Sequence, residues 1–435
     1  MPTELDGTLV ALLPIQLGTK PPPGALAWID LNQNLYCARL DQVTRKGRHP
    51  RAGTEALYEV TTQVVSLALM PPLTEALQRH VPENTGCDWL PLGELLDIAA
   101  RPPREAVAGQ GPYRLTARKF QRSLGGKLVE RGHGRWPAAM ATQQSTLVAE
   151  STEFYSAIPA AMVDAANRDL HELLHWPPPP ELPTARAIEL IGSRVTLRMD
   201  GARLIFKSVV DAANAAPMAG RFSAITRSLN CHAAALSLVM ALCLALRDWG
   251  MYELSPRRLC TAREIGFTEK LAHPDPESPV PVVDLLRDAC AGWCRLLDSA
   301  ISQLLAAGDD RSVALAHKML AMRAREDGMD RAFVVGRDLD LHPVGHQTWV
   351  SRLPRKLRVY GNVFRHFWPL RLHLAGLPQL SVDVLMRHQL AALHAGTAHI
   401  VGTPAGRRQA LVSKMEAVIY ELELRLPRAF GSEAP

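Results

Sequence analysis

The sequence predicts an α+β, mainly helical fold with short β-strand pairs, and three observations carry that prediction. Apolar residues recur at helical spacing through most of the second half, above all in Asn230 to Gly250, which is apolar nearly all round and therefore reads as a buried central helix. Short alternating stretches lie near the start, in Ala25 to Leu40 and Tyr58 to Leu69, and read as strands. Apolar residues make up 47% and charged residues 21% of 435 residues, the balance of a folded globular chain with room for two or more cores. Disordered and collagen-like chains and disulfide mini-folds are excluded.

Pro71-Pro72 opens a helical stretch, Leu73 to His80, because proline suits a first helical turn. Leu115, Phe120, Leu124, Leu128 and Val129 keep helical spacing over Leu115 to Arg131, and Ser151 to Leu174 is a second helical region. Trp176-Pro177-Pro178-Pro179-Pro180 ends any helix, since proline lacks a backbone donor and forces extended geometry on its neighbours. The expected organisation is a domain over 1–176, a Pro-rich linker at 177–184, a second domain over 185–426 and a flexible tail, 427–435.

Within Val195 to Val209, Asp200-Gly201 between apolar runs predicts a hairpin turn. Helices are expected over Pro281 to Leu305, Ser312 to Arg325, Phe364 to Ala375, Ser381 to His394 and Gly406 to Leu424.

Lys and Arg number 49 against 43 Asp and Glu, a formal charge of +6. The excess is clustered. Residues 351–382 contain Arg352, Arg355, Lys356, Arg358, Arg365 and Arg371 with no acid, and 114–135 contain Arg118, Lys119, Arg122 and Lys127 among seven cations against Glu130 alone. Such runs suit phosphates, whose neutralisation releases counterions, and equally suit a solvated helix face. The 7 cysteines, with Cys231, Cys243, Cys290 and Cys294 in apolar settings, point to free thiols in a reducing compartment. The N-terminus lacks the basic region of a secretory signal, and the longest apolar run, Ala233 to Leu246, is short for a bilayer span. A cytoplasmic protein without a membrane segment is expected. Neither metal-ligand spacing nor a phosphate-loop frame occurs, so no metal and no cofactor is expected.

The segment from Asn362-Val363-Phe364-Arg365-His366 through Gly376 to Leu385-Met386-Arg387-His388 resembles the second signature box of the tyrosine recombinases, the phage-integrase family. In that family an HxLRH pattern is followed by a glycine eleven residues after the arginine and a histidine twenty-three after it; Arg365, Gly376 and His388 keep both spacings. Upstream, Leu246-Arg247-Asp248-Trp249-Gly250 through Leu254 looks like the family's first arginine turn, and Phe267-Thr268-Glu269-Lys270 looks like the strand bearing its lysine. The resemblance implies a double-stranded DNA partner, with Arg365, His388, Lys270 and Arg247 around a scissile phosphate while a tyrosine attacks it to give a 3'-phosphotyrosyl link. It also implies a bacterial, nucleoid-associated setting in DNA recombination or integration of a mobile element. His366 and the two basic runs are the expected DNA contacts.

The sequence departs from that pattern in several places. The first arginine falls on Gly250, the box histidine on Asn362, and the nucleophile position on Thr397. Tyr420, mid-helix beside Val418, Ile419 and Leu422, is expected in a core or interface. A weaker echo of the box runs from Leu115 through Gly132 to Tyr155: laying Phe120 on Phe364 places Leu128 on Leu372 and Gly132 on Gly376, but the arginine falls on Gln121 and the histidine on Gln144. One half thus has the activators without a tyrosine, and the other has Tyr155 without activators. Three readings stand beside an inactive DNA-binding relative: an active recombinase using Tyr155 or Tyr420, an accessory scaffold binding active recombinases or itself, and an unrelated helical protein.

Overall fold

The computed structural model describes residues 16–17, 27–30, 35–40, 49–69, 117–142, 155–181, 189–216, 218, 220–246, 254–266, 279–324, 331–386 and 404–431. The chain is mainly helical with short strand pairs, and it divides into two compact units. The first comprises 1–48 and 60–194, and the second comprises 49–59 and 195–435.

In the first unit, strands β1 (Gln16–Leu17), β2 (Ala27–Asp30), β3 (Leu35–Arg39) and β5 (Val64–Ala68) form one sheet in the order β1-β2-β3-β5. β3 pairs antiparallel with both neighbours, Tyr36 opposite Ile29 on one side and Leu67 on the other. β4 (Thr61–Thr62), β7 (Leu190–Gly192) and β6 (Ala157–Pro159) make a second sheet in which β7 is central. Helices α1 (Ala117–Glu130), α2 (Arg135–Thr142) and α3 (Ala160–Leu173) pack together around Leu128, Ala138, Ala141, Ala166 and Leu170. Helical spacing of small and branched residues lets these helices approach closely. Gly192 closes the unit: its φ of +130° and a built Cβ only 2.3 Å from the Ser156 carbonyl admit no side chain.

The division falls at 194–195 and not in the proline run, because β7 follows that run and returns to pair with β4 and β6.

In the second unit, α4 (Met199–Asn214), α5 (Phe222–Leu244), α6 (Pro256–Leu259), α7 (Asp284–Ala307), α8 (Asp310–Arg323) and α9 (His346–Val350) surround a core centred on α5. α5 is the expected central helix, shifted toward the N-terminus; every residue from Cys231 to Leu244 is buried. It is long and apolar enough to cross a membrane by length and composition, and 89% of its most apolar window is buried inside the fold. Strands β8 (Glu264–Ile265) and β9 (Val280–Pro281) pair antiparallel, as do β10 (Phe333–Val335) and β11 (Leu341–Pro343). The Asn230 side chain pairs with Val335 from both ends of its amide, at 2.6 and 2.9 Å, fixing β10 on α5. Then follow α10 (Val363–Leu374), α11 (Gln379–Met386) and α12 (Pro404–Glu421).

Three sequence expectations are corrected. Asp200-Gly201 is the first turn of α4 and no hairpin: Ala202, Ile205, Phe206, Val209 and Val210 are buried at helical spacing, and Asp200 sits where a helix N-terminus favours an acid. Gly201 serves close packing, since a Cβ there would stand 2.4 Å from the Leu57 carbonyl. The expected flexible tail docks over its described part: Phe430 is 1% exposed, Arg295 donates to its carbonyl at 2.6 Å, and the Asn214 side chain accepts from the Arg428 amide. Tyr420 is 86% exposed and belongs to no core. The helix expected over Leu73 to His80 lies outside the described residues, as does the part of Ser381 to His394 beyond Met386.

Candidate nucleic-acid interface

α10 carries the box resembling a recombinase signature, and its end is built from the chain's own turn chemistry. Gly376 adopts φ +80°, its amide bonds the His373 carbonyl at 2.9 Å, and the Leu377 amide bonds the Leu372 carbonyl at 2.9 Å, the paired closure of a helix ending on a left-handed glycine. The Val382 amide then reaches the Pro378 carbonyl and starts α11.

The first unit repeats this module bond for bond. Gly132 has φ +97°, its amide bonds Val129, the His133 amide bonds Leu128, and the Ala138 amide bonds Gly134. Donors and acceptors in the two units are all 244 positions apart. Leu128 and Leu372, one such pair, are both fully buried.

Arg365 lies in the first turns of α10 and is 0% exposed. Its guanidinium donates to the Ala245 carbonyl at 3.0 Å and to the Met386 carbonyl. Ala245 closes α5, so the cation meets the negative pole of that helix, and the Met386 carbonyl of α11 is a second backbone acceptor. Arg365 is therefore enclosed, its guanidinium held by two backbone carbonyls, and not exposed at a surface. His366 is 1% exposed, and Trp368 donates to the Leu242 carbonyl at 2.5 Å. Further along α10, His373 faces Asp383 and Gln379 of α11, and burial first of all holds its imidazole below the usual histidine range.

Arg371 is also engaged internally. It pairs with Glu59, donates to the Leu197 carbonyl at 3.0 Å and lies over the Phe367 ring at 5.4 Å.

The loop leading into α10 differs in character. Leu353 and Val359 are buried anchors, the Arg358 Nε donates to the Leu353 carbonyl at 3.3 Å, and Arg355–Leu357 forms a single 3-10 turn. Gly361 lies against the His346 ring, with no room for a side chain. On this pinned frame Arg352, Arg355, Lys356 and Arg358 are all exposed, and among the described residues no carboxylate pairs with them. Four outward cations on a rigid loop give a fixed positive surface of the kind that backbone phosphates neutralise.

In the first unit, Arg118, Lys119 and Arg122 lie on α1, and Lys127 is exposed and paired with Glu130 at 2.6 Å. Tyr155, partly buried, lies two residues before β6. Arg247, Lys270 and His388 lie outside the described residues. Among the described residues no group of three His, Cys, Asp or Glu side chains is placed to hold a metal.

Arg51 was missed by the sequence reading. Its guanidinium sits 4.9 Å over the Tyr360 ring, beside the basic loop. The run Arg45-Lys46-Gly47-Arg48-His49-Pro50-Arg51, free of acids, was the available signal. No protein-family model, curated protein or solved structure significantly matches the chain.

Proposed function

We propose that this chain is a DNA-binding protein of the tyrosine-recombinase kind, made of two related units, acting in DNA recombination or integration of a mobile element. The observation that carries the reading is the pinned loop from Arg352 to Arg358, whose exposed cations lead directly into α10. The helix–glycine–helix module supports the relation between the units, since the same hydrogen bonds recur at one constant separation. Duplex DNA is gripped through its phosphates, with strong salt dependence and little base reading.

By itself the chain lacks complete cleavage machinery. The Arg365 guanidinium donates to the Ala245 and Met386 carbonyls, and its equivalent in the first unit is Gln121. This favours an accessory role, alongside an active recombinase or a second copy, in the bacterial cytoplasm.

Anisotropy of a labelled mixed-sequence duplex, titrated with the full chain at several salt concentrations, tests the proposal. Binding that weakens steeply with salt, and that loses most of its salt slope when Arg352, Arg355, Lys356 and Arg358 are all changed to Gln, is expected. An equal slope for the two proteins would overturn it.

A further inference from the structure

Residues 49–59 leave the N-terminal part of the chain and build into the second unit. The Glu59 amide bonds the Thr196 carbonyl at 2.8 Å, the Arg198 amide bonds the Leu57 carbonyl at 2.9 Å, and Tyr58 bridges antiparallel to Leu197. Tyr58 is 3% exposed, and burial pushes its hydroxyl up to about 12 against the opposing influence of Thr54 and Arg51. The segment is a fixed strap.

Its two ends carry opposite charges to two different places. At one end, the Thr54 amide and hydroxyl both bond the Arg51 carbonyl, at 2.9 and 2.7 Å, which fixes the backbone from which Arg51 reaches the face of Tyr360. Tyr360 follows Arg358 by two residues, so Arg51 joins the edge of the basic loop. Stacking occupies only the face of a guanidinium and leaves its in-plane donors available to phosphate oxygens. Among the described residues no carboxylate pairs with Arg51. At the other end, Glu59 pairs with Arg371, whose side chain is 12% exposed and whose same guanidinium nitrogen also donates to the Leu197 carbonyl.

We propose that the strap sets the phosphate-binding surface of the second unit, adding Arg51 to the cations of the loop while Glu59 withdraws Arg371 from them. The ligand is the sugar-phosphate backbone of duplex DNA, and the inference rests on the DNA-binding reading above. The phosphate contacts are then Arg51, Arg352, Arg355, Lys356 and Arg358, and the basic run of the sequence loses Arg371 as a contact. Pairing with Glu59 leaves no net charge at Arg371 to displace a counterion.

The full-length chain, titrated into a labelled mixed-sequence duplex across a salt series, provides the test. Arg51→Gln should flatten the log–log salt slope by about one and weaken binding about eight-fold at about 0.1 M salt, the effect of one phosphate contact. Arg51→Lys should restore the slope, which a purely packing role for Arg51 would not require. Arg371→Gln should leave the slope unchanged, and Glu59→Gln, which frees Arg371, should bind more tightly. Should Arg371→Gln fold poorly, the Glu59→Gln result stands in its place. An unchanged slope for Arg51→Gln, a slope lost in Arg371→Gln, or unchanged binding by Glu59→Gln overturns the strap proposal while wild-type binding through the loop keeps the DNA reading. Absence of wild-type binding at low salt overturns both.

Discussion

Gly132 and Gly376 stand 244 positions apart and end their helices with the same two backbone bonds, each in the left-handed region. The residues around them differ: Lys127 is exposed where Arg371 is enclosed, and Gln121 stands where Arg365 joins two helices. The backbone device is common to the units while the side chains that would handle a phosphate are not.

Equal strain at the two turns has a measurable consequence. Nothing lies within 4 Å of a Cβ built at either glycine, so Gly132→Ala and Gly376→Ala each meet only the left-handed backbone cost, about 1 kcal/mol. Gly192→Ala adds collisions with the Ser156 carbonyl and Trp136, and should cost roughly 3 kcal/mol or more. Urea unfolding of the three variants checks the ranking; a Gly192→Ala midpoint equal to the other two contradicts it.

Arg365 should behave as a structural clamp. Arg365→Gln leaves the Ala245 and Met386 carbonyls without a guanidinium partner and should destabilise the protein by about 2 to 4 kcal/mol. Arg365→Lys should recover little, because one ammonium group does not reproduce a planar fork serving two separate backbone carbonyls. Thermal unfolding distinguishes this from a role confined to DNA, in which both variants melt as the wild type.

What the sequence revealed follows from where periodicity is unambiguous. α5, α7 and α8 were legible because their apolar faces repeat at helical spacing over many residues. Asp200-Gly201 misled because a dipeptide suited to a tight turn also suits a helix start packed against another backbone, and only tertiary context tells the two apart. The basic loop was visible as charge without acids, yet the same run hid Arg365 and Arg371, whose partners Met386, Ala245 and Glu59 are up to 312 positions away. Tyr420 looked internal from its neighbours, but Val418, Ile419 and Leu422 around the same end of α12 are buried while Tyr420 lies on the opposite, solvent-facing side.

Acid should weaken the fold. Burial holds His171, His232 and His373 below the ordinary value of 6.5, so the unfolded chain binds more protons than the folded one as pH falls through about 6.5. Stability is therefore retained above that pH and lost progressively below it. Denaturant midpoints at pH 7.5 and 5.5 should show the loss, and His232→Gln should reduce the difference between them; a midpoint that rises on acidification contradicts the sign.

Tyr420→Ser should change stability by no more than about 0.5 kcal/mol, since its ring is almost wholly in solvent. A loss of 2 kcal/mol or more in a melting experiment would mean that this surface is covered in solution.

The most direct test of the account is where duplex DNA touches the protein. Photocrosslinking of the full chain to a duplex carrying a photoreactive backbone group, followed by peptide mapping, should recover the segment containing Arg352, Arg355, Lys356 and Arg358 together with the one containing Arg51. Crosslinks that fall only elsewhere, while binding itself persists, would contradict it.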